Sequence, residues 1–238
     1  MNFLVDGKIS KNYNTTNAGV RYSSADVNSD FESSVFSCVD NLKSFSDTTK
    51  KALSNYDSII ILKNKKSDIP DDFSATEKKF VNYASDSYGF VSHNDKAIVI
   101  VEENHHRKDT RLEGNIIDQA ADTFAHELGH VIDKELSTSA AFKNAYLRDL
   151  ENIYILLDDP DTLIEGEKLR ESLFYLKHYV DGVNFEDGIS EEDITRTGLR
   201  ENFAECFSTI VDMSPSKINK IFSTLFPNTM AQTMAFIV

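Results

Sequence analysis

The strongest constraint on the fold is a long helical pattern that carries two histidines four residues apart. Between residues 115 and 136, apolar residues recur every three or four positions, which is the spacing of an amphipathic helix. They are Ile116, Ile117, Ala120, Phe124, Leu128, Val131 and Ile132. Side chains four residues apart lie on one face of a helix, so His126 and His130 are neighbours in space. The fold therefore has to accommodate a helix that presents a pair of imidazoles on one side.

Glu127 makes this pair a candidate metal site with catalytic chemistry. Zinc is bound by imidazole nitrogens at about 2.0–2.1 Å, and His126 and His130 can supply two of them. Glu127 lies one step round the helix, where it can take a proton from a zinc-bound water without binding the metal. With six histidines in the chain, a His-Glu-x-x-His sequence arises by chance in roughly one chain in a hundred. The alternative is a pair of core histidines with a structural role.

A catalytic zinc site needs a third protein ligand, and the segment that contains Glu201 and Glu205 is the best candidate to supply it. Two carboxylates four residues apart on a largely apolar helix repel each other and are costly to bury without a cation. Glu201 would bind zinc, and Glu205 would hydrogen-bond the far nitrogen of His126. The alternative is a solvated helix face that carries two glutamates. The other histidines lack diagnostic spacing and are expected to be surface or structural residues: His93, His105, His106 and His178.

The first 114 residues predict a mixed α/β region. Short β-branched apolar runs indicate buried strands, and apolar residues at helical spacing indicate helices. A segment rich in Asn, Ser, Thr and Asp predicts a flexible, loop-like start. The predicted elements are a loop-like start over 1–30 with one short strand at 3–5, helices over 31–54 and 71–88, the latter followed by Gly89, and strands over 58–62 and 97–101.

From residue 115 onward, every predicted element is a helix. Helices are predicted over 115–136, 139–157, 162–180 and 199–213, with an acidic loop over 181–198 and a final helix from 214 to the C-terminus. No internal repeat and no linker rich in proline or glycine separates the two halves. We therefore predict a single α+β domain over residues 1–238. Its mixed α/β lobe covers 1–114, its helical lobe covers 115–238, and the histidine helix lies between them.

The acidic composition argues against several partners. The formal net charge is -14, so the surface repels nucleic-acid phosphates and anionic membranes. No apolar run approaches the roughly 18 residues of a membrane span, and no conventional signal peptide is visible at the N-terminus. We expect no nucleic-acid partner and no membrane span. The chain is either cytosolic, exported by a route that needs no such signal, or a mature form or excised domain.

The second motif carries a family resemblance. Residues 201–207 read Glu-Asn-Phe-Ala-Glu-Cys-Phe, and Arg196-Thr197 precedes them. Together with the segment His126–His130, this block resembles the peptidase domain of the anthrax lethal factor family, a gluzincin group that includes the secreted Pro-Pro endopeptidases of clostridia. The apolar C-terminal residues, 235–238, are also similar to that family.

This resemblance implies a bilobal, zincin-like metallopeptidase with one Zn2+ per chain. His126, His130 and Glu201 would be the zinc ligands, Glu127 the general base, and Glu205 an outer carboxylate that orients a ligand histidine. The activity implied is zinc-dependent endopeptidase cleavage of a protein or peptide substrate, with host proteins among the candidates. The resemblance also implies a bacterial toxin or effector protease that is secreted or delivered into a host cell.

The chain departs from the family at the residue that stabilises the oxyanion. The family has a tyrosine seven residues before the ligand glutamate, and here that position is Ile194. The segment between His130 and Glu201 is also longer than is usual in the family. Two further functions therefore stay open, namely a catalytically weakened zinc-binding homologue that acts as a binding module, and another gluzincin class. The candidates to replace the tyrosine are Tyr175, Tyr179, His178 and Arg196, and the sequence does not choose among them.

The strand predicted at 97–101 has two interpretations. In peptidases of this build, an edge strand lies over the active-site helix and an extended substrate pairs with it. The segment 97–101 is a candidate for that strand. An ordinary core strand explains its continuous apolar sequence equally well.

Overall fold

The structure is a computed structural model that describes residues 20–23, 27–53, 56, 58–63, 87–93, 96–105, 116–158, 169, 173, 176, 179–185, 188–212 and 217–238. Over these residues the chain has a mixed α+β architecture, with one small sheet and a larger helical part. The predicted α+β class is confirmed at this level. No helix in the described ranges has the length and apolar character needed to cross a membrane.

A four-stranded sheet lies in the N-terminal part of the described chain. Its strands, in the order β1-β2-β4-β3, are β1 (Val20–Ser23), β2 (Ser58–Leu62), β3 (Gly89–Ser92) and β4 (Ala97–Val101). β1, β2 and β4 are parallel, and β3 pairs antiparallel with β4. All of β4 is buried, as expected of a continuous apolar run in the middle of a sheet. The strands predicted at 58–62 and 97–101 are confirmed with these bounds.

The position of β4 decides between its two interpretations. β4 has a hydrogen-bonded strand on each side, so its backbone cannot pair with another chain. In the described sheet, the edge next to β4 belongs to β3. The suggestion that 97–101 is an edge strand is therefore wrong, and the core interpretation is confirmed.

The sequence does not predict β1 or β3. Residues 1–30 predict a loop-like start, yet 20–23 form β1 beside the buried β2, whose backbone groups need partners on both sides. β3 begins at Gly89, the position that the sequence places just after a helix over 71–88. Residues 71–86 of that predicted helix lie outside the described residues, and so does the strand predicted at 3–5.

The remaining described elements are helices: α1 (Ser29–Val35), α2 (Asp47–Leu53), α3 (Glu102–His105), α4 (Ile116–Leu136), α5 (Ala140–Asp158), α6 (Arg196–Asp212), α7 (Lys217–Leu225) and α8 (Pro227–Ile237), with 3-10 segments at Ser37–Ser44 and Glu191–Asp193. The helices predicted at 115–136 and 139–157 are confirmed as α4 and α5. The pattern over 31–54 is divided between α1, a 3-10 segment and α2. The helix predicted at 162–180 falls mostly outside the described residues.

Local capping explains where the C-terminal helices differ from the prediction. α6 begins at Arg196, before the predicted start at 199, because the Thr195 hydroxyl accepts the backbone N–H of Gly198. The predicted final helix is divided into α7 and α8. Pro227 begins α8, and proline has no N–H with which to continue the hydrogen bonding of α7.

α4 lies between the sheet and α6. It contacts β3 and β4 on one side, and its packing against α6 is the most extensive of any described pair of elements. The main hydrophobic core joins one face of the sheet to both helices and includes Ile59, Ile98, Phe124, Leu128, Phe203 and Phe207. The helix that carries His126 and His130 is thus held between strands and a second helix. The zincin-like bilobal fold and the single-domain organisation stay predictions.

A buried aspartate ties α5 to the first turn of α8. The two carboxylate oxygens of Asp149 accept the backbone N–H and the side-chain donor of both Asn228 and Thr229, at 2.6–3.1 Å. Backbone N–H groups in the first turn of a helix have no partner within the helix. Asp149, which has no exposed surface, therefore replaces water as the acceptor for the buried start of α8.

Replacing this acceptor should destabilise the fold. Asp149→Ala leaves buried donors without partners, and we expect it to lower the free energy of unfolding by roughly 2–4 kcal/mol. Urea denaturation measures the change. Glu151 is exposed on the same helix, so Glu151→Ala should change the free energy by less than about 0.5 kcal/mol. Equal effects of the two substitutions would contradict the role of Asp149.

Candidate metal centre

The centre is built at the crossing of α4 and α6, where the two backbones are in close contact. A Cβ atom added to Gly129 would lie 2.7 Å from Ala204 Cα and 3.0 Å from Ala204 O. Gly129 lies between the two histidines of α4, and Ala204 lies between Glu201 and Glu205 of α6. The contact at Gly129 is therefore a close approach of backbone to backbone, and it brings the histidine and glutamate faces together.

Three side chains meet at this crossing with the spacing of metal ligands. Glu201 Oε2 lies 3.3 Å from His126 Nε2 and 3.5 Å from His130 Nε2. All three ligand atoms lie within 4.8 Å of one another. Atoms bound at about 2.0–2.1 Å to a tetrahedral zinc are separated by about 3.3–3.4 Å. The arrangement thus fits a small divalent cation held by two imidazoles and one carboxylate.

Glu205 orients the first histidine. His126 Nδ1 lies 3.1 Å from Glu205 Oε2, and Glu205 is buried. Because a carboxylate oxygen only accepts, the Nδ1–H group donates to Glu205, which fixes the ring orientation and directs Nε2 towards Glu201. The structure therefore places Glu205 where the sequence predicts it. Tyr179 lies behind this pair, with its ring centroid 6.3 Å from that of His126.

Asp133 orients the second histidine, and sequence reasoning missed it. His130 Nδ1 donates to Asp133 Oδ2 at 2.9 Å, and Arg200 Nε donates to the same oxygen at 2.8 Å. Asp133 has no exposed surface. It lies three residues after His130 on the same helix, a spacing that places two side chains in contact. That spacing is the signal that could have identified it.

The carboxylates hold protons on the imidazoles in the metal-free protein. Burial lowers the pKa of His126, but hydrogen bonds to Glu201 and Glu205 outweigh burial and raise this pKa well above its usual value. Burial also lowers the pKa of His130, and hydrogen bonds to Asp133 and Glu201 raise it overall. Burial raises the pKa of Glu201, but the two histidines outweigh it and hold this pKa well below its usual range. A cation that replaces these protons would meet two neutral imidazoles and the ionised carboxylate of Glu201.

Glu127 lies beside the three candidate ligands and against the start of the edge strand β3. Burial raises the pKa of Glu127, the two histidines lower it, and the net shift is upward. A raised pKa suits a carboxylate that accepts a proton near neutral pH. A Cβ atom added to Gly89 would lie 3.1 Å from Glu127 Cγ and 2.9 Å from Thr123 Cγ2. β3 therefore begins directly against the part of α4 that carries Glu127.

The described residues that were candidates to donate a hydrogen bond to the oxyanion differ in exposure and in their neighbours. Ile194 is partly buried and packs against the main core, so this position supplies no donor. Arg196 is exposed in the first turn of α6. Tyr179 is half-buried beside His126, and burial and the Glu205 carboxylate raise its pKa well above the usual value. Three other residues of interest lie outside the described residues: Tyr175, His178 and His106.

The two other described histidines have structural contacts of different kinds. His105 is buried, with Nδ1 2.7 Å from a carbonyl oxygen of β4 and Nε2 3.0 Å from Thr123 Oγ1. His93 contacts Arg200 and the hydroxyl of Tyr56, so it is linked to the centre. Its two partners are 107 and 37 residues away in the chain. No local sequence pattern could have identified this link.

Comparison with protein-family models, with curated proteins and with solved structures finds no match to this chain. Function is therefore inferred from the geometry of the centre. Its residues can bind a divalent cation, orient both imidazoles through buried carboxylates, and provide a buried proton acceptor in Glu127.

A methyl group at Gly129 should separate the two ligand helices. Gly129→Ala places a carbon 2.7 Å from Ala204 Cα, and overpacking of this kind costs about 1–3 kcal/mol. Moving α6 relieves the strain but also moves Glu201, so we expect metal affinity to fall by about tenfold. A competing chelator measures the affinity. Gly188→Ala is the matched control, since φ is +90° and no atom of the described residues, apart from its chain neighbours, lies within 4 Å of the added carbon. It should lower stability without changing metal affinity.

Metal-dependent stabilisation should increase with pH. The raised pKa values of His126 and His130 stabilise the metal-free fold fully below about pH 6.5, and this contribution is lost as pH rises through the raised values. Metal binding needs neutral imidazoles, so it strengthens over the same range. The difference in melting temperature between metal-loaded and metal-free protein should widen from about pH 5.5 to pH 8. A difference that is constant across this range would contradict the assignment of the two histidines as ligands.

Proposed function

We propose that this protein is a zinc-dependent endopeptidase that hydrolyses peptide bonds of a protein or peptide substrate. One observation carries the proposal. The crossing of α4 and α6 brings Glu201 Oε2 to 3.3 Å from His126 Nε2 and 3.5 Å from His130 Nε2, and the charges of all three residues act on the buried Glu127. A ligand set next to a proton acceptor is the arrangement that metal-assisted hydrolysis requires.

The donor set favours zinc over the abundant hard cations. Two imidazole nitrogens and one carboxylate oxygen suit zinc, whereas calcium and magnesium prefer oxygen ligands. Among the described residues the ligand group has three members, which leaves one tetrahedral position for water or substrate. The side chains of His130 and Glu201 are 12% and 31% exposed, so solvent can reach that position. Closed zinc sites with a structural role usually have four protein ligands.

Each residue of the centre has a role in the proposed reaction. Bound zinc would lower the pKa of a water molecule and polarise the scissile carbonyl. Glu127 accepts the proton of that water and returns it to the leaving amine. Glu205 and Asp133 hold the two imidazoles in the orientation that presents Nε2 to the metal.

The edge strand β3 is the proposed binding element for an extended substrate. It borders the described sheet, and its first residue, Gly89, lies against Glu127. An extended peptide that adds to a strand edge gains hydrogen bonds through its backbone, and these bonds do not depend on the peptide's amino-acid sequence. Pairing along β3 would carry a peptide past Glu127 and the metal ligands.

A second candidate function is zinc-dependent binding without efficient turnover. It is favoured by Ile194, which packs against the core at the position where similar peptidases have their oxyanion tyrosine. One such donor contributes roughly 2.7–4 kcal/mol to catalysis. Assignment to another gluzincin class would retain the same three ligands. In that case the lobe architecture would differ from that of the lethal factor family.

The resemblance of the two motifs to the lethal factor family also supports a proposal about the biological role of the protein. A substrate in a host cell, a role as a toxin or effector, and secretion or delivery into that cell are proposed on the motifs alone. The net charge of -14 supports a partner that is neither nucleic acid nor an anionic membrane surface.

Removing the carboxylate of Glu127 should separate metal binding from catalysis. Glu127→Gln keeps the size of the side chain but cannot accept a proton, so we expect stoichiometric zinc to be retained while peptide cleavage falls at least about 100-fold. Zinc content by elemental analysis and cleavage of a peptide library by mass spectrometry test this. Glu103 is exposed on α3, and Glu103→Gln should leave both properties unchanged. Stoichiometric zinc without cleavage by the unaltered protein would favour the second candidate function, and full cleavage by Glu127→Gln would reject the mechanism.

A further inference from the structure

A run of hydrogen bonds leads from the ligand His130 to the end of the edge strand β3. Asp133 Oδ2 accepts from His130 Nδ1 at 2.9 Å and from Arg200 Nε at 2.8 Å. Arg200 Nη2 lies 3.3 Å from His93 Nε2, and His93 Nδ1 bonds the hydroxyl of Tyr56. His93 directly follows the last residue of β3. Arg200 therefore contacts both the carboxylate that orients His130 and the residue that follows the edge strand.

The direction of each hydrogen bond follows from Arg200. A guanidinium group stays protonated and only donates, so His93 Nε2 is the acceptor. The ring hydrogen of neutral His93 is then on Nδ1 and is donated to the oxygen of Tyr56. Burial and the Asp133 carboxylate raise the pKa of Tyr56, so its side chain remains a neutral phenol. Arg200 thus donates in both directions, to Asp133 on the side of the metal centre and to His93 on the side of β3.

We propose that Arg200 is a positioning residue for the metal centre. It holds the Asp133 carboxylate, and through it the ring of His130, while His93 holds the guanidinium group itself. This inference rests on the zinc site of the proposed function. Asp133 Oδ1 is buried and has no hydrogen-bond partner among the described residues, so the two bonds to Oδ2 fix the orientation of this carboxylate. The side chain of Arg200 then connects the end of β3 with the ring orientation of His130.

The geometry requires arginine rather than any positive charge. Nε and Nη2 belong to one rigid, planar group, which reaches Asp133 and His93 at the same time. Lysine retains the charge but has a single nitrogen on a flexible stem, so it cannot hold both partners in this geometry. A role based on charge alone would survive Arg200→Lys, whereas a positioning role would not.

Zinc affinity tests the proposal without reference to peptidase activity. We expect Arg200→Lys and Arg200→Gln each to weaken zinc binding about tenfold, the lower end of the effect of losing an outer partner of a metal ligand. Competition with a chromophoric chelator measures the affinity, and thermal melting of the metal-free variants shows whether they fold. Arg148 is exposed on α5, and Arg148→Lys should leave zinc affinity unchanged. Wild-type affinity in folded Arg200→Lys would overturn the proposal.

A double-mutant cycle tests the part played by His93. If His93 acts through Arg200, His93→Ala weakens zinc binding in the wild-type background but adds no further loss to Arg200→Lys. Full additivity of the two losses would overturn the coupling. If the variants lose zinc affinity as expected but the unaltered protein cleaves no peptide, this inference is supported and the endopeptidase proposal fails. Absence of stoichiometric zinc from the unaltered protein would overturn both.

Discussion

The contact between the backbones of α4 and α6 at Gly129 and Ala204 is the constraint on which the centre depends. Each of the two residues lies between the functional side chains of its own helix, so a close approach here brings Glu201 to both histidines without any long side-chain reach. Apolar residues on the same helices, such as Phe124 and Phe203, have no exposed surface and supply the hydrophobic free energy that holds the crossing together. The packing of α4 against α6 therefore also sets the distances between Glu201 and the two histidines.

The crossing also concentrates acidic groups that are unfavourable together. Glu127 and Glu205 are buried, and Glu201 is partly buried, within a few ångströms of the imidazoles. Without a cation their charge is balanced by protons on the histidines, which explains the raised pKa of His126. The two candidate ligand histidines are supported in different ways. His126 is backed by Glu205 in the interior, whereas His130 is backed by an aspartate that is paired to a partly exposed arginine.

Sequence reasoning identified the parts of this centre that depend on local periodicity. Histidines four apart on one helix and glutamates four apart on another predict two faces, and the cost of burying carboxylates indicates that the faces meet. Asp133 follows the same local rule and was open to prediction. The link from Arg200 to His93 depends on where the end of β3 lies. That position follows from the sheet order, in which β3 pairs with β4 and β4 pairs with β2. Sheet order arises from contacts between segments far apart in the chain, and no local pattern records it. β1 was missed for the same reason, since its role is to complete the hydrogen bonding of β2.

Two glycines allow the neighbours of α4 to approach closely: Gly129, within α4, allows the approach of α6, and Gly89 allows the approach of β3. A Cβ atom at Gly129 would collide with α6, and a Cβ atom at Gly89 would lie 2.9 Å from Thr123 Cγ2 and 3.1 Å from Glu127 Cγ. The chain has nine glycines in 238 residues, and two of them set the distance from α4 to its neighbours at the histidine motif. Larger residues would move α6 away from the ligands on one side and the edge strand away from Glu127 on the other. The distances from α4 to α6 and to β3 are thus both set by the absence of a side chain, which explains a helix-unfavourable glycine in the middle of the helix that carries His126 and His130.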